Sequence, residues 1–426
     1  MKPVVKIKNI SIESKNSVKV SFEFSQKLKN LFLEDSFFVE YNKEITNVPK
    51  SILVIPFLSN IMPIVWATDS TLIIDEIDED FYNALEKIKQ SFQKMYPQIS
   101  FKGNIDASTF VTSEKKLKTD RPAILFSGGA DSLTTYIRNK ENNPFLVTVW
   151  GADISLKQLD AWNLVKRNID TFAQKYGNES LIIKSNLRSF INEAALNAKY
   201  GKSVVNWWGG VQHGLALLGL CAPISFALGF NHIYIPSTHT ETFSAPWGSH
   251  PTIDNNVKWS ETEVIHDGYE LGRQDKIHVI SNYIKKDDPD LMIRVCYSSS
   301  DGNNCGKCEK CNRTVTGLMI EGVDARNHGF PGLNVEYVQK QFKQGKWNLG
   351  EDEVYMWEDM KNAYTKYQPS VPAEYKEYFQ WLASSDFSFF HKVSSKNKYR
   401  QIKQLSGFLP KSLYLQLKSI KQKLPL

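Results

Sequence analysis

Two short stretches of this 426-residue chain carry residue types whose order suits chemistry. The first is AILFSGGADSL, residues 123–133, in which an apolar run meets two glycines, two serines and an aspartate. Gly128 and Gly129 reach backbone conformations closed to other residues, so successive N–H groups around them and Ala130 can converge on an anion. Ser127 and Ser132 add hydroxyls, and Asp131 can hold a metal ion that bridges phosphates. The bend therefore suits a phosphate or pyrophosphate. It lacks the lysine and the spacing of a Walker A loop, and it is not the dinucleotide fingerprint.

The second stretch, CYSSSDGNNCGKCEKC, holds Cys296, Cys305, Cys308 and Cys311, four of the five cysteines, within sixteen residues. The C-x8-C-x2-C-x2-C spacing lets neighbouring thiolates turn onto one centre. Four thiolates close a tetrahedral zinc site of the structural kind; an iron–sulfur cluster is the alternative this spacing leaves open. Cys221, inside an apolar segment, reads as a small buried side chain.

Other candidates are single residues with plainer alternatives as solvated charges or core aromatics. Lys184 and Arg188 follow the strand-like LIIKS, and Arg273 and Lys276 stand in GRQDK; either pair can neutralise phosphate charge. His239 and Glu241, in the STHTE loop, are candidates for contact with substrate or metal. Trp207, Trp208 and Trp247 are candidates for stacking on a planar base. Arg313, just past the last cysteine, can brace the metal loop or reach phosphate.

These residues need elements to position them. Residues 1–115 alternate as strands in VVKIKNISI, VKVSFEF and STLIIDEI, then turn helical in DEDFYNALEKIKQSFQKMY, which predicts an N-terminal α+β domain. From 120 to 333 short apolar strands alternate with longer helical patterns: AILF, FLVTVW, LIIKS, HIYIP and LMIRV read as strands of a doubly wound parallel sheet. Helices are expected near 132–139 and 156–176, and residues 334–426 read as a helical, aromatic-rich C-terminal region. The composition, 42% hydrophobic and 23% charged, excludes a disordered or fibrous class. No secretory leader is apparent in MKPVVKIKNISIESK, so a cytoplasmic location is expected. The apolar stretch 215–230 contains Pro223 and is shorter than the ~20 residues of a bilayer span, so it reads as a buried core helix. The net charge of +6 belongs to the tail: from His391 onward there are nine Lys or Arg and no Asp or Glu, leaving the rest at −3 by difference. That tail leaves a contact with nucleic acid, an acidic partner or a membrane face open.

SGGADS after a strand resembles the SGGxDS signature of the PP-loop ATP pyrophosphatases, a HUP-type α/β family. Together with CYSSSDGNNCGKCEKCNRT it is similar to the 7-cyano-7-deazaguanine synthase (QueC) family, over about residues 120–330. The resemblance implies ATP bound with Mg2+ at Ser127–Ser132, with Asp131, Lys184 and Arg273 as catalytic candidates. His239, Glu241 and Trp208 are the substrate candidates, and structural Zn2+ sits on the four cysteines. It further implies cleavage of ATP to AMP and pyrophosphate while a 7-carboxy-7-deazaguanine-like carboxylate is activated for attack by a nitrogen nucleophile. Two segments depart from the family pattern: WWGGVQHGLALLG stands where an Arg-Asn pair is usual, and PSTHTETFSAPWGSHPTIDNNVKWSETE is unlike the family's short loop. The added terminal regions resemble longer QueC-like proteins of bacterial antiphage gene clusters, in which the acyl acceptor is an amine on a partner protein. The alternatives are nitrile synthesis with ammonia, tRNA modification, and a nucleotide-binding module without turnover.

Overall fold

In the computed structural model, which describes residues 2–243, 245–296, 299, 302–347 and 349–392, the apolar runs before residue 270 pair into one eleven-stranded sheet. In chain order the strands are β1 (Val4–Ser14), β2 (Ser17–Phe24), β3 (Ser36–Tyr41), β4 (Thr71–Asp78), β5 (Asn104–Val111) and β6 (Ala123–Leu125). They continue with β7 (Phe145–Trp150), β8 (Glu179–Ser185), β9 (His232–Pro236), β10 (Lys258–Trp259) and β11 (Thr262–Asp267). Their spatial order is β10-β11-β9-β6-β7-β8-β3-β2-β1-β4-β5.

The five strands β8-β7-β6-β9-β11 are parallel throughout. β6 and the first four residues of β7 are buried, as strands covered on both faces must be, and their side chains are accordingly apolar apart from Thr148. Helix Ala130–Asn139 joins β6 to β7, and helix Leu159–Lys175 joins β7 to β8. After β8 the chain returns to the other side of β6 as β9.

The N-terminal strands are not a separate layer. β3 pairs antiparallel with β8, Val39 opposite Ser185 and Tyr41 opposite Ile183, so the boundary expected near residue 115 is no break in the sheet. Side chains reinforce the seam: Asn186 Oδ1 accepts from Phe38 N–H (2.9 Å), and Ser185 Oγ donates to Phe38 O (2.7 Å). Helix Glu79–Met95 starts where Asp78 accepts from Phe81 N–H (3.0 Å), and it buries Phe81, Leu85, Ile88 and Phe92 at helical spacing.

Contacts divide the chain into two compact units. One takes in Met1–Ser127, Asp131–Thr238 and Ser244–Tyr269; the other takes in Gly128–Ala130, His239–Phe243 and the described residues from Glu270. In the second unit helix Glu309–Ile320 carries Cys311, and Val335–Lys343, Glu351–Tyr367 and Lys376–Ser384 lie in the region read as helical from sequence. Phe342 is the hub of its aromatic core, edge-on to Trp357 at 5.0 Å and to Phe387 at 5.3 Å. The basic tail, apart from His391 and Lys392, lies outside the described residues.

Two sequence readings need correction. LMIRV is not a strand. Its groups bond elsewhere: Ile293 N–H to His328 O (3.1 Å), Arg294 N–H to Gly128 O (3.0 Å) and Val295 N–H to the Asn304 side chain (2.9 Å). The fifth parallel strand is TEVIHD, β11, which the sequence reading passed over. The apolar segment is also longer than expected, because Trp208–Leu228 spans 21 residues, enough to cross a membrane by length and composition. It is broken into a π-helical turn Trp208–Gln212 and helices His213–Gly219 and Ala222–Leu228, mostly buried against helix Ile55–Ala67. The approach is so close that a Cβ on Gly219 would lie 1.9 Å from Ser59 Oγ.

Lys115, in the connection between β5 and β6, is buried. Its ammonium donates to Phe230 O (2.8 Å), Asn231 Oδ1 (2.7 Å) and Thr262 Oγ1 (2.6 Å), which ties the connection to the start of β11. Burial pulls its pKa down to about 8. The unfolded chain therefore binds more protons between that value and the ordinary lysine range, so this residue's contribution to stability rises with pH through that window. Lys115→Met leaves these acceptors unsatisfied and should cost about 1–3 kcal/mol. In paired thermal melts, the deficit of the variant should widen from pH 8 to pH 10; a constant deficit would show that the ammonium is not held as described.

Candidate functional site

β6 lies between β7 and β9, the two neighbours toward which the chain departs in opposite directions, so the bend after β6 sits at the switch point of the parallel strands. Sheets of this kind bind ligands there, because the carboxyl ends of the strands and the start of the next helix leave backbone groups open. The bend is anchored to β7 by Phe126 N–H to Val147 O (2.7 Å) and Thr148 Oγ1 to Phe126 O (2.7 Å). Gly128 has φ of +74°, with nothing within 4 Å of where a Cβ would stand, so the left-handed backbone and not crowding calls for glycine. Asp131 is half-buried in the first turn of helix Ala130–Asn139.

The two serines expected to face an anion are turned on each other. Ser127 N–H donates to Ser132 Oγ (3.2 Å), and the two hydroxyl oxygens lie 3.3 Å apart, with Ser132 buried. A residue missed from sequence steadies the helix that follows. Asp267, at the end of β11, accepts from Thr135 Oγ1 (2.7 Å) and pairs with Arg138 (3.4 Å).

Of the cations, Lys184 pairs with Glu40 (3.0 Å) and lies over the Trp150 ring at 5.5 Å. Arg188 pairs with Glu193 (2.7 Å), donates to Ala152 O (3.2 Å) and covers Trp208 at 4.6 Å. Arg273 and Lys276 are buried in helix Arg273–Lys286. Beside them Asp359 accepts from Gln274 N–H (2.8 Å), and burial raises its carboxyl pKa despite the opposing pull of that N–H and of Arg273. His239 is buried edge-on to Phe243 (5.5 Å), whereas Glu241 is exposed. Trp207 is fully buried against Tyr200 (5.4 Å), a core aromatic; Trp208 is nearly buried and Trp247 half-buried. Ser127, Asp131, Ser132, Lys184 and Trp208 fall in the first compact unit; Gly128–Ala130, His239, Glu241, Arg273 and the four cysteines fall in the second.

The two segments that depart from the family pattern are built against each other. Gly248 N–H donates to Gly209 O (2.8 Å) and Gly214 N–H to Gly248 O (3.0 Å), clipping the WGSH loop onto the π-helical turn. A Cβ on Gly209 would lie 2.6 Å from the Trp247 ring, and one on Gly214 would lie 2.3 Å from Asp254 Oδ1. Around this clip His213 is edge-on to Trp208 (5.1 Å) and tilted against Trp247 (6.2 Å). Asp254, fully buried, accepts from Ser249 Oγ (2.7 Å) and meets His266 Nδ1 at 2.8 Å. Burial lowers the His213 pKa, with Arg188 adding to it and Asp153 and Asp254 opposing. Single π-helical turns favour functional positions, and the glycines at 209, 210 and 214 inside an apolar helix were the available sequence signal for this cluster.

The four cysteine sulfurs all lie within 4.8 Å of one another. Tetrahedral zinc, with Zn–S of about 2.3 Å, sets sulfurs about 3.8 Å apart. The Cys296 and Cys308 sulfurs are at 3.8 Å. Backbone N–H groups turn toward the sulfurs, from Lys307 and Cys308 to Cys305 (3.4 and 3.2 Å) and from Cys311 to Cys308 (3.4 Å), as thiolate ligands require. The Cys311 thiol, ahead of backbone and other thiol contacts, pulls Cys308 down to about 5 against its burial, while Cys311 itself is pushed up. The thiols compete for charge, and a cation would resolve that competition. Helices of the second unit hold the loop: Tyr337 Oη and Trp347 Nε1 both donate to Lys307 O (3.1 and 3.2 Å). Arg313, expected either to brace the metal loop or to reach phosphate, pairs with Glu309 one turn earlier in its helix (2.6 Å), and Glu309 also accepts from Trp357 Nε1 (2.7 Å).

No family model, curated protein or solved structure matches the chain.

The geometry makes the cysteine cluster testable by itself. Metal analysis of the purified chain should find one ion per molecule, and Cys311→Ser should lose it and lower the melting temperature by about 10 °C. A metal-free preparation that melts like the untreated protein would refute a structural ion.

Proposed function

We propose that the chain is an ATP-dependent adenylating enzyme that activates a 7-carboxy-7-deazaguanine-like carboxylate for attack by an amine, with a structural zinc ion on Cys296, Cys305, Cys308 and Cys311. The observation that carries the reading is the placement of SGGADS at the carboxyl end of β6, the switch point of five parallel strands. The resemblance of that bend and of the cysteine motif to the QueC family supplies the substrate class.

In this reading the N–H groups of Gly128, Gly129 and Ala130 hold the phosphates that leave, and Asp131 holds Mg2+. Bound Mg2+ supplies charge neutralisation along the phosphates. A carboxylate oxygen of the acid attacks the α-phosphorus of ATP, the bond to the bridging oxygen breaks, and pyrophosphate departs with that electron pair. The amine then attacks the activated carbonyl, AMP leaves, and the amine proton passes to solvent. Alignment and charge neutralisation supply the rate, so no strong protein base is required. Lys184 serves as a phosphate contact by exchanging its partner Glu40. Trp208 remains a substrate contact, joined by His213, just past the π-helical turn, and by Trp247 of the loop clipped to it.

The test is chromatography of nucleotides after incubation with ATP, Mg2+ and 7-carboxy-7-deazaguanine, with and without ammonia or an amine-bearing partner protein. Acid-dependent AMP is expected, reduced about 100-fold or more in Asp131→Ala. Nitrile formed with ammonia alone would place the chain with the simpler synthases. Nucleotide bound without AMP, whatever acid or amine is supplied, would replace the enzyme with a binding module.

A further inference from the structure

β5 closes one edge of the sheet, and its only strand neighbour among the described residues is β4. Asn104 N–H donates to Ser70 O (3.0 Å), which together with the register Thr71 to Asn104 and Ile73 to Asp106 fixes where each backbone group points. In a parallel pair alternate residues turn N–H and C=O to the same neighbour. The backbone groups of Asn104, Asp106, Ser108 and Phe110 therefore face β4, and those of Ile105, Ala107, Thr109 and Val111 face outward.

Proteins normally blunt such an edge with short strands, proline, lysine or a bulge. The opposite edge follows that rule, because β10 has two residues and ends in a turn with positive φ at Ser260 and Glu261. β5 does not. It runs eight residues without proline or lysine, and its register with β4 has no shift. Asp106 is its only charge, and Phe110, 48% exposed, leans on Tyr82 at 4.6 Å.

We propose that β5 is the seam of a homodimer, with a second copy of this chain pairing antiparallel along it about a two-fold axis at Ser108. The strand is self-complementary in that register. Ile105 stands opposite Val111 of the copy and Ala107 opposite Thr109, so every outward N–H and C=O of the strand finds a partner. Asp106 faces Phe110, and the two carboxylates do not meet. Continued past each end, the register sets Lys102 opposite Glu114 of the copy; both are exposed, and neither has an ion-pair partner among the described residues. A foreign strand would need that sequence of charges by coincidence, whereas a second copy carries it by symmetry.

Light scattering on the full chain after size exclusion should report twice the chain mass. Ala107→Pro removes only an outward donor, a substitution edge strands tolerate, and should yield a monomer that still melts cooperatively, with a melting temperature that no longer depends on protein concentration. Ser108→Cys places two thiols at a non-hydrogen-bonded pair, with Cα atoms about 4.5 Å apart, within the range a disulfide spans. It should give a cross-linked dimer on mild oxidation that reductant reverses, absent from the wild type and from Asp106→Cys. A monomeric wild type overturns the proposal, as does a dimer that survives Ala107→Pro or a Ser108→Cys variant that fails to cross-link. If Ala107→Pro does not fold, the cross-linking of Ser108→Cys decides alone.

Discussion

A strand of three residues, Ala123–Leu125, is the constraint on which the rest depends. It is buried throughout and bonded on both sides, with Ala123 in register with Phe145 of β7 and with Ile233 of β9. A strand so enclosed must be apolar, and the polar groups of the chain can only emerge where it ends. That end is the SGGADS bend. Because β7 and β8 lie to one side and β9 and β11 to the other, the bend opens where the neighbouring connections diverge. The helix it feeds is then tied back to the far strand through Thr135, Arg138 and Asp267.

The N-terminal strands take their meaning from the same sheet. Without β3, β8 would be an open edge beside the candidate site, and open edges recruit other chains. Pairing β3 with β8 removes that edge and carries Glu40 to Lys184. The connection back to β6 is fastened by an ammonium with three buried acceptors. The edge problem is thereby moved to β5, far along the same sheet.

The candidate site and the cysteine loop illustrate two kinds of positioning. In the cysteine loop, two-residue gaps form tight N–H to sulfur turns that any chain with this spacing can make locally. Cys296 needs more: Asn304 receives the N–H groups of Val295 and Cys296 and donates to Ile293 O and Gly329 O. The clip between residues 209 and 248 is wholly of the second kind. Gly209, Gly214 and Gly248 have no local reason, and each of these three is explained by the other segment's approach.

From sequence alone the bend, the cysteine cluster, most strands and the long helices were legible, because each follows from a local rule. Alternation made β1, β2 and β4; a capping Asp78 and apolar spacing made helix Glu79–Met95; strand, glycines and helix in immediate succession made the bend. LMIRV has the same local texture as a strand, yet Gly128, Asn304 and His328 take its backbone bonds, and no local rule announces that. Nor does any local rule say that Glu40 awaits Lys184, that Ser127 and Ser132 turn to each other, or that His213 lies between two tryptophans. Period and spacing decide which element a segment forms. Which surfaces meet is decided by burial and hydrogen-bond satisfaction summed over the whole chain, and that sum exists only once it has folded.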